Sequence, residues 1–193
     1  MMTYFICSFF LRMLKFIFTQ QATKNIVNLK EITKPIHEDL NCVDKVIKSH
    51  LSSDIPVINQ ISTYILNSGG KKMRPIFHLL LAGLDGEITK PNHDVASIIE
   101  FIHTATLLHD DVVDQSTKRR NIQTANAVFG NSASILVGDF LYSRSFQMMV
   151  KIDNMSVMKV LADATNKISE GEVLQLINSH NPQINESQYF EVI

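Results

Sequence analysis

Residues 94–114 read DVASIIEFIHTATLLHDDVVD, and this stretch decides the fold. Val95, Ile98, Ile99, Phe101, Ile102, Ala105, Leu108 and Val112 recur at three- and four-residue spacing, as one buried face of a long helix requires. Asp94 is the expected first residue of that helix. Outward from it the same period repeats. Ile36, Leu40, Val43, Val46, Ile47 and Leu51 form one helical face. Asp54 or Ser53 can cap a second helix, with Pro56 in its first turn and Ile58, Ile61, Ile65 and Leu66 inside. A third helix runs from about Arg74-Pro75 through Phe77, Leu80 and Leu81 to a break at Gly83–Gly86. Asn131-Ser132 is the expected cap of a helix from Ile135 to about Val150, and a last one covers Val157 to Ile177. Strand alternation is sustained nowhere. The fold class is all-α.

Composition narrows the function. The chain has 193 residues, enough for one domain with a substantial core. Seven Gly and five Pro are too few for a collagen-like or low-complexity chain. A formal net charge of −1 argues against a nucleic-acid binder, which would carry a basic surplus. Two cysteines, Cys7 and Cys42, supply neither a disulfide framework nor a metal cluster, so a reducing cytoplasm is the expected compartment.

Residues 1–29 stand apart as an apolar amino-terminal extension. Tyr4 to Phe18 is almost wholly apolar but is broken by Arg12 and Lys15. A spanning helix needs about 20 apolar residues without central charges, and a secretory signal needs its basic residues ahead of the apolar run. Two readings stay open: a helix lying on a membrane surface, or a non-native extension read from an upstream start codon, with Met13 as the alternative start. Residues 30–193 are expected to form the helical bundle.

Three clusters carry chemistry. Asp110 and Asp114 stand at i and i+4 on the long helix and project side by side, with Asp111 one residue round. Adjacent like charges are destabilising unless a cation lies between them. Hard oxygen ligands on one face suit Mg²⁺, which takes one or two carboxylates plus waters and substrate phosphates. Lys118-Arg119-Arg120 follows, and guanidinium groups grip phosphate oxygens in bidentate fashion. Gly69-Gly70-Lys71-Lys72-Met73-Arg74-Pro75 lies where one helix ends and the next begins. Its backbone N–H groups, the helix dipole, Lys71 and Arg74 together make a diphosphate cradle, although the spacing is not that of a Walker A loop. His103 and His109, six residues apart, lack the i, i+4 geometry of a zinc pair. Two cationic clusters, a carboxylate face and an apolar helical interior fit a Mg²⁺-assisted reaction of a diphosphate ester with a greasy tail.

At this point a resemblance is clear. Residues 101–114 resemble the first aspartate-rich motif of the trans-polyprenyl diphosphate synthases, and Gly69–Pro75 is similar to that family's isopentenyl diphosphate loop. Arg119-Arg120, Gly138-Asp139-Phe140-Leu141-Tyr142 and Gly171-Glu172-Val173-Leu174-Gln175-Leu176 fall in family order. The resemblance implies an isoprenoid-synthase helical bundle and a prenyltransferase that condenses isopentenyl diphosphate with an allylic diphosphate. It implies metal on Asp110, Asp111 and Asp114, isopentenyl diphosphate on Lys71, Arg74, His103 and Arg120, and the allylic diphosphate on Arg119. The expected partner of the full-length enzyme is a second copy of itself, as a homodimer. Small residues at Ala105 and Thr106, about one turn before Asp110, imply an open tunnel and a long product of octaprenyl type, as for a quinone side chain. Phe146 is the expected deeper floor of that tunnel.

The family continues beyond the point where this sequence stops, with a Lys-Thr element and a second aspartate-rich motif. Asp153 and Asp163 stand alone and supply no such motif. The expectation is therefore an amino-terminal fragment, truncated to roughly the first half of the bundle, with apolar helix faces left uncovered. Three functions follow: a prenyltransferase fragment, inactive alone; a non-catalytic subunit or split-gene half that needs a separate carboxy-terminal partner; or a membrane-associated helical protein without catalysis.

Overall fold

The computed structural model describes residues 28–179 and 181–192. Both readings of residues 4–18 lie outside them. The chain divides into two units, Met1–Pro35 and Ile36–Ile193. In the first, a short helix α1 (Leu29–Thr33) is capped by Asn28, whose side chain accepts a hydrogen bond from the Lys30 N–H at 3.2 Å. A 3₁₀ turn, Lys34–Ile36, follows.

The second unit is built of helices α2 (His37–Leu51), α3 (Pro56–Asn67), α4 (Met73–Asp85), α5 (Lys90–Val113), α6 (Ala125–Phe129), α7 (Asn131–Ile152), α8 (Met155–Asn178) and α9 (Glu186–Val192). A two-residue antiparallel ribbon, β1 (Lys118–Arg119) and β2 (Ile122–Gln123), interrupts them. Its turn residues Arg120 and Asn121 have φ of 52° and 67°, the left-handed region that a tight two-residue hairpin demands.

Helix α5 is the hub. It packs on α2, α4 and α6, and most extensively on α7. Ala96, Ile98, Phe101, Ile102, Ala105 and Leu108 are buried along it, the period expected from the sequence. On α2 the buried residues are Val43, Ile47 and Leu51, spaced by one helical turn each.

Several ends and faces differ from the sequence expectation, each for a local reason. Helix α5 starts at Lys90 rather than Asp94. Thr89 forms a capping box with Asn92, and Pro91 is tolerated in the first turn, so the helix gains one more turn. Helix α3 takes Ile55 as its cap position. Ser53 acts from one turn back: its hydroxyl accepts from the Ile55 N–H at 3.2 Å, and Asn59 bonds both its backbone N–H and its carbonyl. Helix α7 is entered from Gly130 at φ 86°, not from a capping Asn131-Ser132. Helix α8 begins at Met155 because the Asn154 side chain accepts from the Ser156 and Val157 N–H groups. On α4 the buried side is Pro75, Ile76 and Leu79, whereas Phe77 and Leu81 are 51% and 53% exposed.

The α5–α7 approach is close because α7 offers small residues to it. Ser134 is fully buried and donates its hydroxyl to the Leu108 carbonyl at 3.1 Å. Gly138 lies under the His109 ring, where a Cβ would meet Nε2 at 2.4 Å. That ring nitrogen sits 3.2 Å from the Ile135 carbonyl oxygen and 3.3 Å from Asp139 Oδ1, tying the two helices together.

The outer faces are less covered. On α8 only Thr165 is buried among the described residues, and Val160, Val173, Leu176 and Ile177 are each more than half exposed. On α7, Leu136 and Val150 are exposed as well. This agrees with the uncovered apolar faces expected from the sequence. Among the described residues, no helix is long and apolar enough to cross a membrane.

A substitution separates the His109 contact from helix propensity. Gly138→Ala should lower stability in urea by about 1–3 kcal/mol, because the new methyl pushes the imidazole off its two partners. In a His109→Ala background the same change should raise stability by up to about 1 kcal/mol, since Ala is the better helix former. An unchanged sign between the two backgrounds would show that the ring does not control the approach.

Candidate functional site

A cavity of about 290 Å³ opens where α2, α3, the start of α4, the middle of α5 and the ribbon converge. Helix geometry selects which α5 residues reach it. Glu100, His103, Thr104, Leu107, Leu108 and Asp111 line it, and they share one stripe at three- and four-residue spacing. Its polar rim is the loop Gly69–Arg74 with Arg119 and Arg120, and its apolar end is Ile47, Leu51, Ile65, Leu66 and Leu141.

Backbone conformation places the rim cations. Gly69 has φ +65°, and Arg120 Nη1 donates to its carbonyl at 3.3 Å. Gly70 leaves room for that guanidinium, since a Cβ there would stand 3.3 Å from it. Lys72 caps α4 in the left-handed region at φ 48° and forms an ion pair with Asp44 of α2. The loop is thus anchored to α2, while Lys71 and Arg74 line the cavity.

The cations set the state of His103. Its pKa is pushed down to about 4, first by burial and then by Arg74, Arg119 and Arg120. It is neutral near neutral pH and offers one N–H and one lone pair. On the same stripe, burial pushes the Glu100 carboxyl up. Arg74, Lys72 and Arg120 oppose that shift, and Asp44 adds to it.

Asp111 differs from its neighbours. It is 5% exposed and receives three hydrogen bonds from Arg119, from Nε at 3.1 Å and 3.4 Å to its two oxygens and from Nη2 at 2.9 Å. Its backbone carbonyl accepts from the Ser116 N–H and the Asn126 amide. In this structure its carboxylate is paired with Arg119. The pair holds that arginine against the cavity wall.

Asp110 and Asp114 fall outside the cavity lining, on the adjoining stripe of α5 with Thr106. Burial pushes the Asp110 carboxyl up, Glu172 of α8 and Asp114 push it further, and Arg119 and His109 oppose them. Neither aspartate has a cationic ion-pair partner among the described residues. Asp110 lies in the last turn of α5 and Asp114 is its C-cap, where the helix dipole is negative and carboxylates are disfavoured. Carboxylates that crowd one another at the wrong end of a dipole suit a hard divalent cation, so these residues fit Mg²⁺. No described group of three or more His, Cys, Asp or Glu residues forms a closed metal site. An open site completed by water and substrate oxygens needs none.

The cavity therefore unites Lys71, Arg74, His103 and Arg120, and Arg119, which the resemblance assigns to the other diphosphate, lines it as well. Ala105 is fully buried, Thr106 is half-buried, and neither lines the cavity. Phe146 is 42% exposed and packs edge-to-face on Tyr142, with ring centroids 5.1 Å apart. Sequence reasoning assigned no role to Glu100, Glu172, the Asp44–Lys72 pair or Ser62. The Ser62 hydroxyl is buried against the cavity with no partner among the described residues. Glu100 was the one with a readable signal, as the single carboxylate between Asp94 and Asp110.

Residues 55–193 match the sequence profile of the family described as Polyprenyl synthetase. The chain belongs to that family. Among curated polyprenyl synthetases it is 48% identical to the octaprenyl diphosphate synthase of Escherichia coli (strain K12), covering 86% of this chain and 52% of that relative. It is 43% identical to the all-trans-nonaprenyl-diphosphate synthase (geranyl-diphosphate specific) of Rhodobacter capsulatus, over 85% of this chain and 51% of that one. Its fold matches a solved polyprenyl synthase from Caulobacter crescentus CB15, complexed with calcium and isoprenyl diphosphate, with a TM-score of 0.83. Sequence identity there is 38%, covering 86% of this chain and 51% of that chain. A decaprenyl diphosphate synthase from Rhodobacter capsulatus matches with a TM-score of 0.81 and 42% identity, over 85% and 51% of the two chains. The chain spans about half the length of the curated relatives it matches.

The state of His103 has a consequence for acid stability. Its value is 6.5 when unperturbed and about 4 in the fold. Between those limits the unfolded chain binds the proton and the folded chain does not, so stability falls as pH drops from 6.5 toward 4 and is undiminished above 6.5. His103→Gln should remove this part of the loss. Urea midpoints above pH 6.5 and near pH 4 should therefore lie closer together in the variant, and an equal gap would show that His103 carries no such linkage.

Proposed function

We propose that this chain is the substrate-binding part of a long-chain trans-prenyltransferase, which joins isopentenyl diphosphate to an allylic diphosphate. The observation that carries the reading is the division of α5 into two stripes. One faces a cavity rimmed by Lys71, Arg74 and Arg120, and the other carries Asp110 and Asp114. Two anionic groups can thereby be held on one rigid element.

In this reading the isopentenyl diphosphate occupies the cation cavity. Lys71, Arg74 and Arg120 hold its phosphate oxygens, and neutral His103 donates its N–H. Arg119, oriented by Asp111, faces the allylic diphosphate. Asp110 and Asp114 are the residues that would hold Mg²⁺, with Glu172 near them. Bound there, Mg²⁺ offsets negative charge that builds on a departing diphosphate. The chain's own part is positioning and electrostatics: it aligns the homoallylic double bond with the allylic carbon, and its cations stabilise the leaving diphosphate. Loss of a proton completes the condensation, and no protein nucleophile is required. The relatives named above make long products, which supports a tunnel left open at Ala105 and Thr106, with Phe146 as its floor.

A second reading is a half-enzyme that functions with a separate carboxy-terminal partner, and with a second copy of the whole as a homodimer. The exposed apolar faces of α7 and α8 favour it.

Binding of an allylic diphosphate to the purified chain, titrated with and without Mg²⁺, tests the metal face. Asp110→Ala and Asp114→Ala should abolish the Mg²⁺-dependent part, and Asp153→Ala should leave it intact. An unchanged affinity in Asp110→Ala would sink the assignment.

Product length tests the tunnel. The chain is co-expressed with the carboxy-terminal half of a relative and supplied with labelled isopentenyl diphosphate. Thr106→Phe should then shorten the product, because the half-buried position accepts a larger side chain that closes the path. Ala105→Phe should shorten it too, at a stability loss of about 1–3 kcal/mol from overpacking. A long product from a folded, active Thr106→Phe variant would remove Thr106 from the path.

A further inference from the structure

The cavity-facing stripe of α5 carries two carboxylates, and they are held differently. Asp111 is closed into a two-point pair with Arg119. Glu100, three turns earlier on the same stripe, has no ion pair among the described residues, although it lines the cavity beside Lys72, Arg74 and Arg120. It is half-buried, and its backbone carbonyl is occupied by the Thr104 hydroxyl at 2.8 Å. Lys72 is already paired with Asp44. What remains is a carboxylate that lines the same cavity as Arg74 and Arg120 and is not locked to either.

We infer that Glu100 is a built-in counter-charge that holds the anion affinity of this cavity down. The inference rests on the reading of the cavity as the isopentenyl diphosphate site. A polyanion entering the cavity meets the negative charge of Glu100 on the same wall as Arg74 and Arg120, and that charge opposes part of their pull on it. The condensation gives this a purpose. The diphosphate of isopentenyl diphosphate stays on the lengthened product, so the cation cavity must give up that group after every addition before a fresh molecule can enter. A cluster of uncompensated cations in a half-enclosed cavity would hold it too long, since an electrostatic contribution of this kind acts mainly through the off-rate. Glu100 cancels one of those charges at the back of the site. Its role is distinct from that of Asp111, which orients one arginine.

Glu100→Gln keeps the shape and removes the charge, so isopentenyl diphosphate and inorganic diphosphate should each bind the purified chain about tenfold more tightly. The gain should appear as slower dissociation. The ligand-free variant should melt lower than the wild type, because its cations have lost their counter-ion, and diphosphate should raise its melting temperature by more than it raises that of the wild type. A merely structural role would lower both stability and affinity. Equal or weaker binding in Glu100→Gln therefore overturns the inference. If the variant does not fold without ligand, refolding it with inorganic diphosphate should recover the helical spectrum, and failure to recover it overturns the inference too. Absence of binding by the wild-type chain would remove the underlying reading of the cavity, a result distinguishable from an unchanged variant.

Discussion

The close contact between α5 and α7 is the constraint on which the rest depends. Two helices of more than five turns approach because small residues, Ser134, Gly138 and Ser145 on one and Ala105 on the other, are buried along them. Leu141, Met148 and Met149 then pack with Ile98, Phe101 and Ile102 in the same core. Each large side chain buried there contributes about 1.5–3 kcal/mol before chain entropy is subtracted. The contact also fixes the rotation of α5 about its own axis. Because α7 claims the stripe of Ala105 and His109, the stripe from Glu100 to Asp111 is turned to the cavity. A rotation of α5 by one residue would turn Glu100, His103 and Asp111 away from the cavity they line.

Electrostatics then divides the molecule along that helix. The amino-terminal end of α4 and the ribbon collect Lys71, Lys72, Arg74, Arg119 and Arg120, while the carboxy-terminal end of α5 collects Asp110, Asp111 and Asp114. Asp111 joins the two groups through Arg119. Local backbone geometry serves this arrangement: Lys72, Arg120 and Asn121 all adopt positive φ without being glycine. Such conformations cost of order 1–3 kcal/mol each and persist where the surroundings enforce them, as they do at binding sites.

How much of this the sequence disclosed depended on whether a signal was periodic. The long helices were legible because 3.6-residue spacing of Ile, Leu and Val has one solution over several turns, as at Val43, Ile47 and Leu51. On α4 the same method chose Phe77 and Leu81 over Ile76 and Leu79. Residues 76–82 are nearly all apolar, so more than one face satisfies the period, and only packing against α5 decides. The start of α5 was misplaced at Asp94 because its capping box uses Asn at the third position in place of the usual Glu or Gln. Among the acids, spacing grouped Asp110 with Asp114 but could not separate Asp111 from them. That separation comes from Arg119, which is brought back by a hairpin two residues deep. Glu172 was invisible as a neighbour of Asp110, because it lies more than sixty residues away in sequence.

Helix α8 joins the question of coverage to the question of charge. It brings Glu172 toward Asp110, and it does so with Thr165 as its one buried residue among those described. Few apolar contacts hold it, and the repulsion between Glu172 and Asp110 works against its position. Elements with little buried surface are the first to open locally. A cation at the carboxylates would convert that repulsion into attraction, and a surface packed on Val160, Val173 and Leu176 would supply the missing burial. These two stabilisations act on the same helix, so either one favours the other. In the proposed reading, a cation held at the carboxylates and a surface packed on α8 would be coupled to each other through that helix.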